Sequence, residues 1–305
     1  MKKIPYSLIL MLMLLSATKT GFTQVPVVAS RLMELFDSTT LIRGLGDPWE
    51  LTYGPDNYLW VTEARGYRVR RIHPNTGAST TVLYVAALRK FPRYDMINDA
   101  TDGGKPWPQG GLMGLAIHPE FMTGKPYVYL AYIHTFAGVG APSNNNGCAS
   151  NYGGCFYTSR VVRYQYNFGT NQLTTPLILC DTIPGSNDHN SGRMIIAPYN
   201  GTPYLFYSVG DMGGGQFNNA NRPIRAQQTN TNEGKILRFN LEPDGDAGTY
   251  NRWIPGDNPF NGATQSAVWS IGHRNVQGLA YARLNGVDML YATEHGPFTD
   301  DELNV

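Results

Sequence analysis

The sequence predicts an all-β fold and, within that class, a β-propeller. Three observations lead there. Past the N-terminal segment helical periodicity is scarce, and apolar residues alternate with polar ones in short runs. Glycine (34), proline (20) and tyrosine (19) are frequent and spread along the 305 residues, so short aromatic strands end repeatedly in turns. One unit also recurs four times: a strand-like stretch, a turn rich in Pro, Gly and Asn, a more aromatic strand, and a polar loop. A β-sandwich requires no such repetition, whereas sheets stacked radially around an axis do.

The N terminus comes first. Lys2 and Lys3 precede the apolar run YSLILMLMLLSA, and small and polar residues follow. This is the order of a secretory signal peptide, expected over residues 1–24 with cleavage between Ala17 and Gln24. The run is short for a bilayer span, and no cysteine follows to take a lipid. The expected mature chain, 25–305, is therefore periplasmic or extracellular, without a membrane span. A formal charge of +1 and the lack of any basic block leave nothing to hold a nucleic acid.

The first repeat copy is WELTYGPDNYLWVTEARG (49–66), and YRVRRIHPNTG continues it as a further alternating strand. The second, GLAIHPEFMTGKPYVYLAYIH (114–134), follows WPQGG, whose Gln109 either satisfies its turn or meets a ligand. His118 belongs to the turn inside this copy. Next, Cys148 and Cys155 flank ASNYGG, where an exported protein tolerates a local disulfide; Cys180 is left over.

The third copy is RMIIAPYNGTPYLFYSVGDMGGG (193–215), introduced by SNDHNSG. Asp188 and His189 stand together in that polar turn, where an imidazole is either a general base at the mouth of a rigid scaffold or a loop residue without a role. Asp211 ends a strand, and either orients an imidazole or caps its own turn; Gln216 follows the glycines. The fourth copy, GLAYARLNGVDMLYATEHGPF (278–298), is introduced by GHRNVQ. Arg274 and Asn275 there suit a planar, oxygen-rich anion, or buttress a loop. Beyond it, the Gly296–Pro297 turn adjoins Asp300, Asp301 and Glu302. Such hard oxygen donors suit calcium, though not at EF-hand spacing, and equally suit a solvated acidic turn.

In a propeller the equivalent loops open on one face. The strand ends with Glu63, Asp211, Gln216, Glu294 and His295 then converge with the turns that carry Gln109, Asp188, His189, Arg274 and Asn275.

Read in order, GPDNYLWVTEARG, QGGLMGLAIHPEF, DHNSGRMIIAP, GDMGGGQ, GKILRFNLEPDG, DNPF, GHRNVQGLAY and EHGPFTDDELN resemble the soluble PQQ-dependent glucose/sorbosone (aldose sugar) dehydrogenases, from about residue 45 to 305. The resemblance implies a six-bladed propeller that binds pyrroloquinoline quinone (PQQ) with Ca2+ over its central channel. It makes His189 the general base for a sugar's anomeric hydroxyl and Asp211 the carboxylate that orients it. Arg274 would stabilise charge on the quinone oxygens, with Asn275 and Gln109 beside the cofactor. Gln109, Asp188 and Gln216 would lie near the sugar. The carbonyls of Gly296 and Pro297 would bind the cofactor's calcium, and Asp300, Asp301 and Glu302 would begin a second calcium region. The implied reaction oxidises an aldose to a lactone and passes the electrons to an external acceptor; a homodimer is left open. The family runs on past the position of Val305, so about four of six blades are expected here, folding poorly or holding cofactor weakly by themselves. The cysteine-bearing loop is an insertion. Two other readings stand beside this one: a metal-dependent propeller lactonase, which would want several channel carboxylates, and a non-catalytic propeller that binds a glycan or a protein.

Overall fold

Alternation along the chain becomes fifteen strands among the described residues, with no α-helix. The computed structural model describes residues 38–88, 109–136, 156–186, 188–216, 219, 221–297 and 300–305. The expected signal peptide and the Cys148–Cys155 loop lie outside them. The chain divides after Thr40 into two compact units, and all fifteen strands belong to the unit from Leu41 to Val305.

Four antiparallel meanders make up this unit. The first contains β1 (Pro48–Tyr53), β2 (Leu59–Glu63), β3 (Arg68–Ile72) and β4 (Ser79–Tyr84). The second contains β5 (Leu112–Ile117), β6 (Tyr127–Phe136), β7 (Tyr157–Asn167) and β8 (Gln172–Gly185). In the third are β9 (Ser191–Tyr199), β10 (Thr202–Val209), β11 (Lys235–Asn240) and β12 (Val268–Ile271). The fourth holds β13 (Val276–Leu284), β14 (Val287–Glu294) and β15 (Glu302–Asn304). Within each sheet every strand pairs with its neighbour in sequence. That is the up-and-down sheet of a propeller blade.

Period-2 patterning explains why these runs are strands. In β7, Val162, Tyr164 and Tyr166 are buried, while Arg163 and Gln165 between them are not. The core accordingly lies between sheets. Trp60 and Val69 meet Leu115, Val128, Val162 and Tyr166 between the first and second. Ala131, Val161 and Leu179 meet Leu205, Leu237 and Val268 between the second and third. Phe206 and Ile236 meet Val276 and Ala292 between the third and fourth.

The first strand of each sheet faces the axis. β5 packs beside β1 and β9, and β13 beside β9. Thr52, Leu115, Ile117, Met194, Ile196 and Leu279 from these four strands line one open channel. Arg193 of β9 reaches β1, where NH1 lies 3.6 Å from Glu50 Oε1 and donates to the Trp49 carbonyl. Burial pushes the Glu50 carboxyl above its ordinary range, and the Arg193 charge opposes that rise. Cys180 forms no disulfide among the described residues, and burial pushes its thiol up to about 11. Among those residues no helix is long and apolar enough to cross a membrane.

Candidate active site

The site is built on the turn that enters β9. His189 (φ 45°) and Ser191 (φ 55°) both hold left-handed backbone, which costs a non-glycine residue of the order of 1–3 kcal/mol. Asn190, between them, supplies the restraint. Its Oδ1 accepts the Ser186 N–H at 2.8 Å, and its Nδ2 donates to the carbonyls of Ser186 (2.8 Å) and Gln109 (2.6 Å). Gly210 follows β10 directly behind the turn, and a Cβ there would lie 1.8 Å from the His189 carbonyl oxygen. Only glycine permits that approach.

His189 is buried, and both ring nitrogens are engaged. Nδ1 lies 2.7 Å from Asp211 Oδ1, the oxygen that also accepts the Gly213 N–H at 2.9 Å. Nε2 lies 2.9 Å from Gln216 Nε2. The same amide nitrogen donates to Asp188 Oδ2 at 3.0 Å, and Gln216 Oε1 accepts from Arg274 NH2 at 3.3 Å. An amide nitrogen has two hydrogens, so one serves Asp188 and the other His189. His189 Nε2 is therefore an acceptor, and Nδ1 carries the hydrogen donated to Asp211. This tautomer points a lone pair, not a proton, away from the orienting carboxylate, as a general base requires.

Arg274 arrives from the turn before β13. Its N–H donates to Glu294 Oε2 at 2.7 Å, and its carbonyl accepts the Asp211 N–H at 2.8 Å. Its guanidinium also donates from NH1 to the His295 carbonyl at 3.1 Å. Glu294, at the end of β14, is buried. Burial pushes its carboxyl up, but donors from His273, Arg274 and Asn275 outweigh that and hold it below the ordinary range.

The expected residues thus divide. His189, Asp188, Asp211, Gln216 and Arg274 form one connected polar network, and Gln109 joins it by accepting the His189 N–H at 3.4 Å. Asn275 adjoins it, but its Oδ1 is taken by the Ser191 N–H (3.2 Å) and Gln277 Nε2 (2.8 Å), so that oxygen fastens β13 to β9. Glu63 is spent elsewhere, buried against Arg68 (3.4 Å) and Arg70 (3.9 Å). At the Gly296–Pro297 turn, Asp301 Oδ1 accepts the Gly296 N–H at 3.2 Å and Pro297 O accepts the Asp300 N–H at 3.3 Å. A Cβ on Gly296 would lie 1.7 Å from the Asp300 carbonyl, so this tight turn demands glycine. Glu302 accepts from Asn304. Among the described residues no three His, Cys, Asp or Glu side chains gather around a common point as a metal site, Asp300, Asp301 and Glu302 included.

Sequence reasoning passed over Asn190 and His273. Asn190 follows Asp188 and His189 directly, and side-chain clamping of a strained turn is a regular use of asparagine. His273 precedes Arg274, and its Nδ1 lies 3.0 Å from Glu294 Oε1.

The chain as a whole is similar to known proteins. Residues 45–305 match the family model for glucose/sorbosone dehydrogenases. Quinoprotein glucose dehydrogenase B of Acinetobacter calcoaceticus is 35% identical over 94% of this chain and 55% of its own length. The aldose sugar dehydrogenase of Escherichia coli is 28% identical over 86% of this chain and 57% of its own. The chain spans about half the length of these curated relatives. Among solved structures, the PQQ-bound aldose sugar dehydrogenase of Streptomyces coelicolor superposes with a TM-score of 0.60, at 27% identity over 87% of this chain and 61% of that one. A match to the family model over 45–305, together with four propeller sheets that bring the polar turns onto one network, makes this chain a member of the glucose/sorbosone dehydrogenase family.

Proposed function

We propose that this chain carries the catalytic base of a secreted quinoprotein that oxidises the anomeric carbon of an aldose to a lactone, with PQQ and calcium as cofactors. The carrying observation is the His189–Asp211 pair at 2.7 Å, with the Arg274 guanidinium reaching the amide that covers His189 Nε2.

The donor set fits such a cofactor. A tricarboxylated, planar quinone wants a cation and amide donors beside a base, and Arg274, Gln216 and Gln109 supply these. Calcium takes six to eight oxygens, as a rough rule, so the carbonyls of Gly296 and Pro297 fit only an ion shared with an oxygen-rich anionic ligand. When bound, PQQ supplies the two-electron acceptor for hydride leaving the anomeric carbon. His189 Nε2 takes the proton of the anomeric hydroxyl, a position that the Gln216 amide holds in its absence. Asp211 stabilises the imidazolium that forms. Arg274 places positive charge where negative charge develops. Asp188 and Gln216, freed from each other, offer an acceptor and a donor to the remaining hydroxyls. The electrons leave through an external acceptor.

Dye-coupled oxidation of a panel of aldoses tests this, on protein expressed from its full reading frame. Dye reduction is expected only with both PQQ and calcium, with a lactone or its acid as product. Lactone opening that needs metal but no quinone would replace the reading with a hydrolase. Sugar binding without turnover, with or without quinone, would replace it with a binding propeller.

A further inference from the structure

We propose that Glu294 is a positioning residue for Arg274, acting through the Arg274 main chain. The inference rests on the role proposed for Arg274, but its geometry stands apart from that role. Glu294 has a side chain only 2% exposed, and it spends both oxygens inward. Oε2 accepts the Arg274 N–H at 2.7 Å. Oε1 accepts from Asn304 Nδ2 at 2.6 Å and lies 3.0 Å from His273 Nδ1, while His273 Nε2 lies 2.7 Å from Ser270 Oγ. The carboxylate is thus fixed from β15 and from the turn before β13, and β12 backs that turn through Ser270.

The clamped peptide leads on to the base. The Arg274 carbonyl accepts the Asp211 N–H, and Asp211 holds His189. The strand end that carries Glu294 also presents the His295 carbonyl to the Arg274 guanidinium. One residue therefore sets the root of the arginine, and its neighbour steadies the head. An arginine head sits several bonds from its backbone, so a small swing at the root moves the charge far. A misplacement of about 1 Å costs on the order of a hundredfold in rate. A carboxylate that merely filled a buried space would not need to face the Arg274 N–H.

Two arms test the proposal on the full-length protein. The first is PQQ titration at saturating calcium without sugar, followed by steady-state kinetics. For Glu294→Ala the expected result is about tenfold weaker quinone binding and about 10- to 100-fold lower kcat, with the sugar KM within about threefold. Glu294→Gln should recover to within about threefold of wild type. Its amide oxygen still accepts the Arg274 N–H, and its NH2 meets the other His273 tautomer and, once the Asn304 amide turns over, the Asn304 oxygen. The Arg274→Ala/Glu294→Ala double variant should lose less than the product of the two single losses, since the part of the Glu294 effect carried by the guanidinium is already gone in Arg274→Ala. Should Glu294→Ala fail to fold, His273→Ala removes a single support and should weaken quinone binding about threefold. Wild-type affinity in Glu294→Ala or His273→Ala, a Glu294→Gln as poor as alanine, or losses that multiply in the double variant would each overturn the proposal. The second arm is the crystal structure of Glu294→Ala without quinone. The Arg274 guanidinium should leave Gln216; finding it in place also overturns the proposal. A wild type that binds no quinone sinks the proposed function instead, and this second arm still decides the positioning claim.

Discussion

In the proposed reaction the proton transfer rests on a single atom, His189 Nε2. It is a usable base only because Asp211 takes the Nδ1 hydrogen and the strained turn keeps the ring between Asp211 and Gln216. Glutamine at 189 retains polarity near the site but offers no comparable proton acceptor. His189→Gln is expected to lower kcat by about two to four powers of ten while quinone still binds, as read by single-turnover kinetics and quinone titration. Turnover near wild type would remove His189 from the role. Arg274→Ala should instead lower turnover and quinone retention together, because its charge serves both the resting and the developing anion; loss of neither would exclude it. His189, Asp211 and Arg274 were legible as candidates because each stands in a short polar turn beside an apolar strand, but the choice between a site role and a turn cap or loop buttress came from the family resemblance. The double duty of Asn275 was not legible, since its oxygen serves Ser191, 84 residues earlier. Nor was Glu63, whose partners Arg68 and Arg70 lie in the next strand and satisfy it there.

At the scale of elements, four repeat copies became the first two strands of four sheets. WELTYGPDNYLWVTEARG is β1 and β2, and RMIIAPYNGTPYLFYSVGDMGGG is β9, β10 and the glycine turn beyond. Alternation and turn residues are local properties, so the sequence exposes them. The turn before β9 is different, because what stabilises it comes from outside. Asn190 reaches Gln109, and Gly210 lends its missing side chain. Gly210→Ala should therefore cost about 1–3 kcal/mol in denaturant unfolding, the usual cost of forcing atoms into filled space. Its activity should fall further than the folded fraction does, because the obstructed atom is the carbonyl of the base itself. Gly262→Ala is the matched control: nothing lies within 4 Å of its added Cβ, and a change within about 0.5 kcal/mol is expected. Equal losses in the two variants would show that the approach at Gly210 is not a constraint.

Across the whole unit, among the described residues, sheets two and three pack against another sheet on both faces, and sheets one and four against another sheet on one face each. The other faces of sheets one and four carry exposed apolar side chains, and that of the first sheet also holds the Glu63, Arg68 and Arg70 cluster. Leu51 (62% exposed), Tyr53 (61%) and Tyr84 mark the first sheet; Leu284, Val287, Leu303 (65%) and Val305 (70%) mark the fourth. Strand patterning revealed that these residues alternate with polar ones, but not which face would lack a neighbour, since that depends on how many sheets surround the axis. Exposed apolar side chains grouped on a sheet face favour association, and β15 adds a short edge strand. The Arg193–Glu50 contact joins the third sheet to the first, yet it covers none of this surface. The 305-residue chain by itself is therefore expected to self-associate as its concentration rises, and sedimentation velocity reads this directly. Tyr53→Lys with Leu303→Lys places charge on both faces without touching the His189 network, and should shift the distribution toward monomer at equal loading. A wild-type chain that stays monomeric at high concentration, or a double variant that associates as strongly as wild type, would mean that these two faces are not what drives association.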